Sequence, residues 1–204
     1  MGRKESVFNN EFLKSLDYET PFFVFSKKRI LHNIREFKEF FPGSKIYYAM
    51  KANSEQGVLK TVLKSGASFE VASKYELDML KAIKVPPEKI IYGTSVKPVS
   101  HIKEFLSYGV DRFAFDSLPE LEKIASAAPK SKVYVRIAVN DKGSVFKFSE
   151  KFGTEKENIV PFLERAKELG LHPCGISFHV GSQASNVVAW ANALDGFEDI
   201  LNRL

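Results

Sequence analysis

Residues 45–93 read KIYYAMKANSEQGVLKTVLKSGASFEVASKYELDMLKAIKVPPEKIIYG, and the fold class is decided there. The runs KIYYAM (45–50), SFEVA (68–72) and KIIYG (89–93) are aromatic, β-branched and apolar almost throughout. Strands covered on both faces have that composition. Between them lie EQGVLKTVLKSG and SKYELDMLKAIK, whose apolar residues recur at helical spacing. Ser73 stands where an N-cap belongs, and Gly66 follows a helix end. Strand, helix, strand at this spacing predicts parallel pairing through right-handed crossovers.

The same alternation continues in both directions. PFFVF (21–25) and the helical SKKRILHNIREFKEFF precede this stretch, with Ile30, Ile34 and Phe37 on one helix face. RFAFD (112–116), KVYVRIAV (132–139) and CGISFHV (174–180) follow it. The helical patterns SHIKEFLSYG, SLPELEKIASAA and ENIVPFLERAKELG separate them, and NVVAWANALDGFEDILNRL comes last. Further caps are expected at Ser117 and at Asn158 or Thr154, and helix ends before Gly109 and Gly170. An α/β chain of this kind forms either an open doubly wound sheet or a (β/α)8 barrel. A barrel needs eight strands and the pattern shows seven units, so the alternation alone leaves both architectures open. The longest irregular stretch, 140–154, carries Lys142, Lys147 and Lys151, and loops of that length are often functional.

Composition narrows the function classes. With 44% apolar and 27% charged residues in 204, the chain is neither disordered nor a disulfide scaffold. No apolar run reaches the roughly 18 residues a membrane helix requires, and MGRKESVFNN lacks the apolar core of a secretory signal. Cys174 is the single cysteine, expected as a small buried residue in a reducing, cytoplasmic setting. The net charge of +5 is spread along helix faces where Lys and Glu alternate, so neither nucleic acid nor a membrane is an expected partner.

In either parallel architecture the C-terminal strand ends point at the ligand. Those ends present Lys51 with Asn53, Glu70 with Ser73, Tyr92 with Thr94, Asp116 with Ser117, Arg136, and His179 with Gly181 and Ser182. Otherwise apolar strands thus deliver a polar, ionisable set to one rim. Lys51 is the most informative member: a lysine desolvated at a buried strand end becomes nucleophilic toward an aldehyde. Gly181 beside His179 permits close backbone approach to a ligand.

YYAMKANSEQGVLKTVLKSGASFEVASKYEL (47–77) resembles the cofactor-lysine region of the pyridoxal-phosphate-dependent ornithine/diaminopimelate/arginine decarboxylases, whose barrel is shared with alanine racemase. TPFFVFS (20–26), FAFDSLPELEKI (113–124), VYVRIAV (133–139), FGTEKENI (152–159) and GISFHVGSQ (175–183) resemble the same group, in the same order. The resemblance implies an α/β fold, a parallel (β/α)8 barrel incomplete at its C-terminal end in this chain, with pyridoxal 5'-phosphate as cofactor and no metal. Lys51 would hold the cofactor covalently and be the catalytic residue; His179 would stack on its ring and Ser182 would bond its phosphate. Arg136 and Glu70 would flank the ring.

NDKGSVFKFSEKFG (140–153) and KPVSHIKEFLSYGV (97–110) look most like the ornithine decarboxylase branch. The implied reaction is ornithine to putrescine, in polyamine biosynthesis, with lysine or arginine as the next substrates. A non-catalytic cofactor-binding regulator and diaminopimelate decarboxylase are the alternatives. Residues 1–19 are expected as a lead-in and 20–204 as part of the cofactor-binding barrel. The resemblance also implies elements beyond Leu204: a glycine-rich phosphate loop, an acidic partner for the pyridine nitrogen, and a β domain with a catalytic cysteine and aspartate. The expected assembly is a homodimer, with this portion alone inactive.

Overall fold

The structure, a computed structural model, describes residues 8–139, 151–195, 197 and 200. The short helix α1 (Asn10–Lys14) and the longer α2 (Lys27–Phe40) precede the sheet. Strands and helices then alternate: β1 (Tyr47–Ala49), α3 (Gln56–Lys64), β2 (Ser68–Val71), α4 (Lys74–Ala82), β3 (Ile90–Tyr92), α5 (Val99–Tyr108) and β4 (Arg112–Phe115). The series continues with α6 (Leu118–Ala127), β5 (Lys132–Ile137), α7 (Ile159–Glu168), β6 (His172–Phe178) and α8 (Val188–Leu194). The six strands pair in parallel in sequence order, β1 to β6. A doubly wound sheet reverses its strand order at a switch point; this sheet does not, so it is an arc of a (β/α) barrel.

The arc buries one face. Along β5, Val133, Val135 and Ile137 lie sealed beneath the helices, while Lys132, Tyr134 and Arg136 alternate onto the other face and are half-buried. Strand residues two apart share a face, so each strand splits into an apolar outer row and a mixed inner row. The outer rows pack against Leu77 and Leu80 of α4, Phe105 of α5, and Leu121 and Ile124 of α6. At the centre Tyr92 of β3 stacks on Phe105, ring centroids 4.0 Å apart, and tilts against Phe113. Coverage on both faces, expected from the strand composition, is therefore not found among the described residues. The inner row is open, and Cys174 is exposed there beside Tyr47, Arg112 and Tyr134 instead of being buried.

Local signals account for most element ends. Ser73 caps α4 by accepting from the Glu76 amide at 3.3 Å, and Gly66, Gly109 and Gly170 take the left-handed conformation after their helices. Ser117 and Asn158 occupy N-cap positions without a capping side-chain bond.

One expected strand is not a strand. Residues 21–25 pair with nothing in the sheet, and Phe23 is 89% exposed. Aromatic and β-branched residues measure fit to a pleated surface, and a strand also needs an edge to pair with. Most of the 140–154 stretch and the end of the last helical pattern lie outside the described residues. Among the described residues, no helix is long and apolar enough to cross a membrane.

The central stack gives a direct stability test. Phe105→Ala should cost about 3–5 kcal/mol in denaturant unfolding, the usual loss for a fully buried phenylalanine. Phe23→Ala should stay within about 0.5 kcal/mol of the parent chain, as exposed positions do.

Candidate active site

The parallel register brings every C-terminal strand end to one rim, and a cleft of about 140 Å³ opens there. Its walls include Lys51, Glu70, Glu76, Thr94, Arg136 and Phe152. Of the residues expected at the site, Lys51, Glu70 and Arg136 thus share one cleft. His179 and Ser182 follow β6 on the same rim but do not line it. The His179 Nδ1 instead accepts the Gly181 amide at 3.0 Å, which turns the imidazole back along its own chain.

Lys51 sits on the single 3-10 turn Met50–Ala52 that follows β1. Two bonds shape this turn. The Tyr48 hydroxyl donates to the Asn53 carbonyl at 3.0 Å, and Asn53 Oδ1 accepts the Glu55 amide at 2.9 Å. The Glu55 carboxylate then takes the free Gly57 and Val58 amides at the start of α3, at 2.6 and 3.1 Å. Met50 fills the core below while Lys51 is lifted to the surface, so the burial expected at a strand end is not found. No hydrogen bond or ion pair holds its amine among the described residues.

Glu70 lies on the inner row of β2, beside Gly93 at the end of β3. A Cβ on residue 93 would stand 2.1 Å from Glu70 Oε1, so the carboxylate occupies space that only glycine leaves. Glu76 supplies a second carboxylate. Its Oε2 accepts the Ala72 amide at 2.6 Å while its own amide bonds Ser73 Oγ, a reciprocal capping arrangement at the start of α4. Glu76 is not among the site residues expected from the sequence, although Ser73-x-x-Glu76 directly after a strand is a capping-box pattern that marks it.

Arg136 closes the opposite wall. Its guanidinium lies 5.0 Å from the centre of the Phe152 ring. Burial pulls its pKa down, and the carboxylates of Asp116 and Glu70 oppose that pull. Phe152 is held by the segment around Gly153. The Gly153 amide donates to Asp116 Oδ2 at 2.9 Å, Thr154 donates to the Arg136 carbonyl at 2.9 Å, and Ala138 donates to the Thr154 carbonyl at 2.9 Å. Gly153 has φ +97°, and a Cβ there would fall 2.4 Å from the backbone of Ile137 and Ala138.

A larger hollow of about 360 Å³ lies between α7, β6 and α8, against Leu163, Phe178, Leu194 and Phe197. Its lining is apolar, apart from Lys167, and brings no set of reacting groups together. The smaller cleft combines an accessible amine, two carboxylates and a guanidinium. That set can form a covalent bond to a carbonyl compound while pairing both signs of charge on it.

A (β/α) barrel arc with an exposed lysine just after its first strand is compatible with a pyridoxal-binding barrel, and family comparison identifies it as one. Residues 27–204 match the model of the pyridoxal-dependent decarboxylase, pyridoxal binding domain, and the chain belongs to that family. It is 37% identical over 182 residues to the ornithine decarboxylase of Mus pahari, spanning 89% of this chain and 40% of that protein. Among solved structures, the Paramecium bursaria Chlorella virus arginine decarboxylase bound to agmatine superposes with a TM-score of 0.88 at 33% identity, over 95% of this chain and 52% of that one. SrLDC in complex with PLP and cadaverine also superposes at 0.88 with 33% identity, over 96% of this chain and 50% of that one. The chain therefore spans about half the length of the relatives it matches, or less.

The Arg136 wall depends on Gly153. Gly153→Ala should destabilise the chain by about 1–3 kcal/mol, the range for forcing a side chain into a disallowed backbone conformation. Amide exchange at Gly153 and Thr154 should accelerate well before global unfolding. An unchanged exchange rate would show that the segment is held by something other than this close approach.

Proposed function

We propose that this chain is the cofactor-holding part of a pyridoxal-phosphate-dependent decarboxylase of basic amino acids, with ornithine the first candidate substrate and lysine or arginine the next. The observation that carries the reading is the Lys51 amine, exposed and without a partner among the described residues, at the mouth of a cleft walled by Glu70, Glu76 and Arg136.

The donor chemistry fits the cofactor. An aldehyde needs a reachable amine, and Lys51 is one. The cleft also needs room beside the amine, and the missing side chain at Gly93 keeps the Glu70 carboxylate seated at the wall. When bound, pyridoxal phosphate supplies the electron sink that accepts the bonding pair released as a carboxylate leaves Cα.

The protein's own residues then have separable tasks. Lys51 binds the cofactor. Glu70 and Glu76 give the cleft a negative wall that favours a cationic ligand, and Arg136 supplies a donor fork for an anionic group. The Phe152 ring keeps the guanidinium against the wall and shields one side from water. His179 and Ser182, next along the rim, are assigned the ring face and the phosphate of the cofactor. The ornithine preference rests on the resemblance of 97–110 and 140–153 to that branch and on the relatives' names. The assembly proposed is a homodimer, which light scattering checks.

Labelling tests the reading. Pyridoxal phosphate added to the chain should produce a visible absorption band, and borohydride should fix it to Lys51 in peptide maps. Lys51→Ala should abolish band and adduct, Lys45→Ala should keep both, and His179→Ala should weaken affinity about tenfold, as loss of a stacking contact does. An adduct on another lysine, or on none, would overturn the assignment. Carbon dioxide release from ornithine, lysine and arginine at equal concentration, measured with the chain carried in a protein of its relatives' full length, then ranks the substrates.

A further inference from the structure

Lys97 is the one lysine among the described residues that is buried, at 1% exposure, and nothing in the function above employs it. Its Nζ donates to three backbone carbonyls: Thr94 at 2.9 Å, Ser95 at 3.3 Å and Ala114 at 2.5 Å. Glu120 Oε1 from α6 lies 3.0 Å away as an ion-pair partner, without the angle for a hydrogen bond. Lys123 pairs with the other oxygen of Glu120 at 2.5 Å. The Tyr92 ring lies 5.7 Å from Nζ.

The carbonyls matter because of where they are. Thr94 and Ser95 follow β3, and Ala114 belongs to β4. These two strands register at a single pair, Tyr92 with Phe113, whereas the other neighbours in the sheet register at three to six. Beyond that pair the side chain of Lys97 supplies the bridge that a backbone ladder supplies elsewhere. Both bridged segments run into the cleft. Thr94 lines it, and two residues past Ala114 stands Asp116, which holds Gly153 and with it the Phe152–Arg136 wall.

We infer that Lys97 is a positioning residue for the cofactor cleft, fixing the ends of β3 and β4 so that the Thr94 wall and the Asp116–Phe152 wall keep their separation. Its burial is costly: desolvation draws the ammonium down to about 8 against the pull of Glu120. Buried ion pairs are often matched or exceeded in stability by apolar residues of similar size, so packing alone does not call for a lysine here. The inference rests on the cofactor-binding reading of the cleft.

The experiment separates the carbonyl bridge from the ion pair. Lys97→Met leaves Glu120 buried without its Lys97 partner, so the informative variant is Lys97→Met combined with Glu120→Gln, beside Glu120→Gln alone. The double variant should remain folded with a lowered unfolding midpoint, because the carbonyls of Thr94, Ser95 and Ala114 lose this donor. Its amides at 94–96, 114–116 and 153 should exchange at least about tenfold faster, because the local bridge is gone. Its affinity for pyridoxal phosphate, followed by visible absorption, should fall about tenfold or more, the size of effect a misplaced wall produces, with the adduct still on Lys51. Glu120→Gln alone should keep affinity within about twofold, since every carbonyl bond of Lys97 survives. If exchange and affinity return to parent values in the double variant, Lys97 is a structural ion-pair member only and the inference fails. It fails equally if Glu120→Gln alone weakens binding as much as the double variant. Should the parent chain bind no pyridoxal phosphate, the functional reading falls and the exchange comparison alone decides the role of Lys97.

Discussion

The outer rows of apolar residues on six parallel strands are the constraint from which the rest of the molecule follows. Val133, Val135 and Ile137, with Phe69, Phe113, Phe115 and their neighbours, can be removed from water only if every strand presents the same face to the helices. At about 25 cal/mol per Å² of apolar surface, this burial is the dominant favourable term in the fold. It sets the pleat of each strand, so the alternate residues have no choice of side. Lys51, Glu70, Arg136 and Asp116 reach the rim as a consequence of where Phe69, Val135 and Phe115 must go.

That dependence explains what could be read without coordinates. Period-two runs and helical periodicity identify elements because burial imposes those periods, and six of the expected strands form within a residue or two of their runs. PFFVF has the same composition but no edge to pair with, and composition carries no information about partners. Cys174 looked like a buried small residue because CGISFHV is apolar; its exposure follows from which face of β6 it occupies. Lys51 and Arg136 share a cleft as expected, yet Lys51 is exposed because a 3-10 turn intervenes between strand and helix. Glu76 carries a legible capping pattern, but that pattern marks a helix start and says nothing of a cleft. Lys97 carried none: a lysine before a proline reads as an ordinary loop residue, and only the tertiary structure shows three carbonyls converging on it.

The cleft itself is defined as much by missing atoms as by present ones. Gly93 leaves space for the Glu70 carboxylate, and Gly153 lets a returning segment lie against the backbone of β5. Around these gaps the charges are arranged in opposition, with Glu70 and Asp116 countering the desolvation of Arg136. A guanidinium on an aromatic face and flanked by carboxylates stays ionised and oriented without a full ion pair to occupy its donors. Among the described residues, no ion pair takes up its donors.

The sequential order of the sheet has a further consequence, for how the chain acquires its structure during synthesis. Partners in the first four strand pairings lie only about 20 residues apart, and in the last about 40. Loop closure for each new strand is correspondingly inexpensive, and no strand has to wait for a distant segment. As the ribosome releases each strand and helix, the edge left by the preceding unit is already in place to receive it. The walls of the cleft then form in the order in which they are translated, with the Lys51 turn first, the Thr94 wall next and the Arg136 wall last.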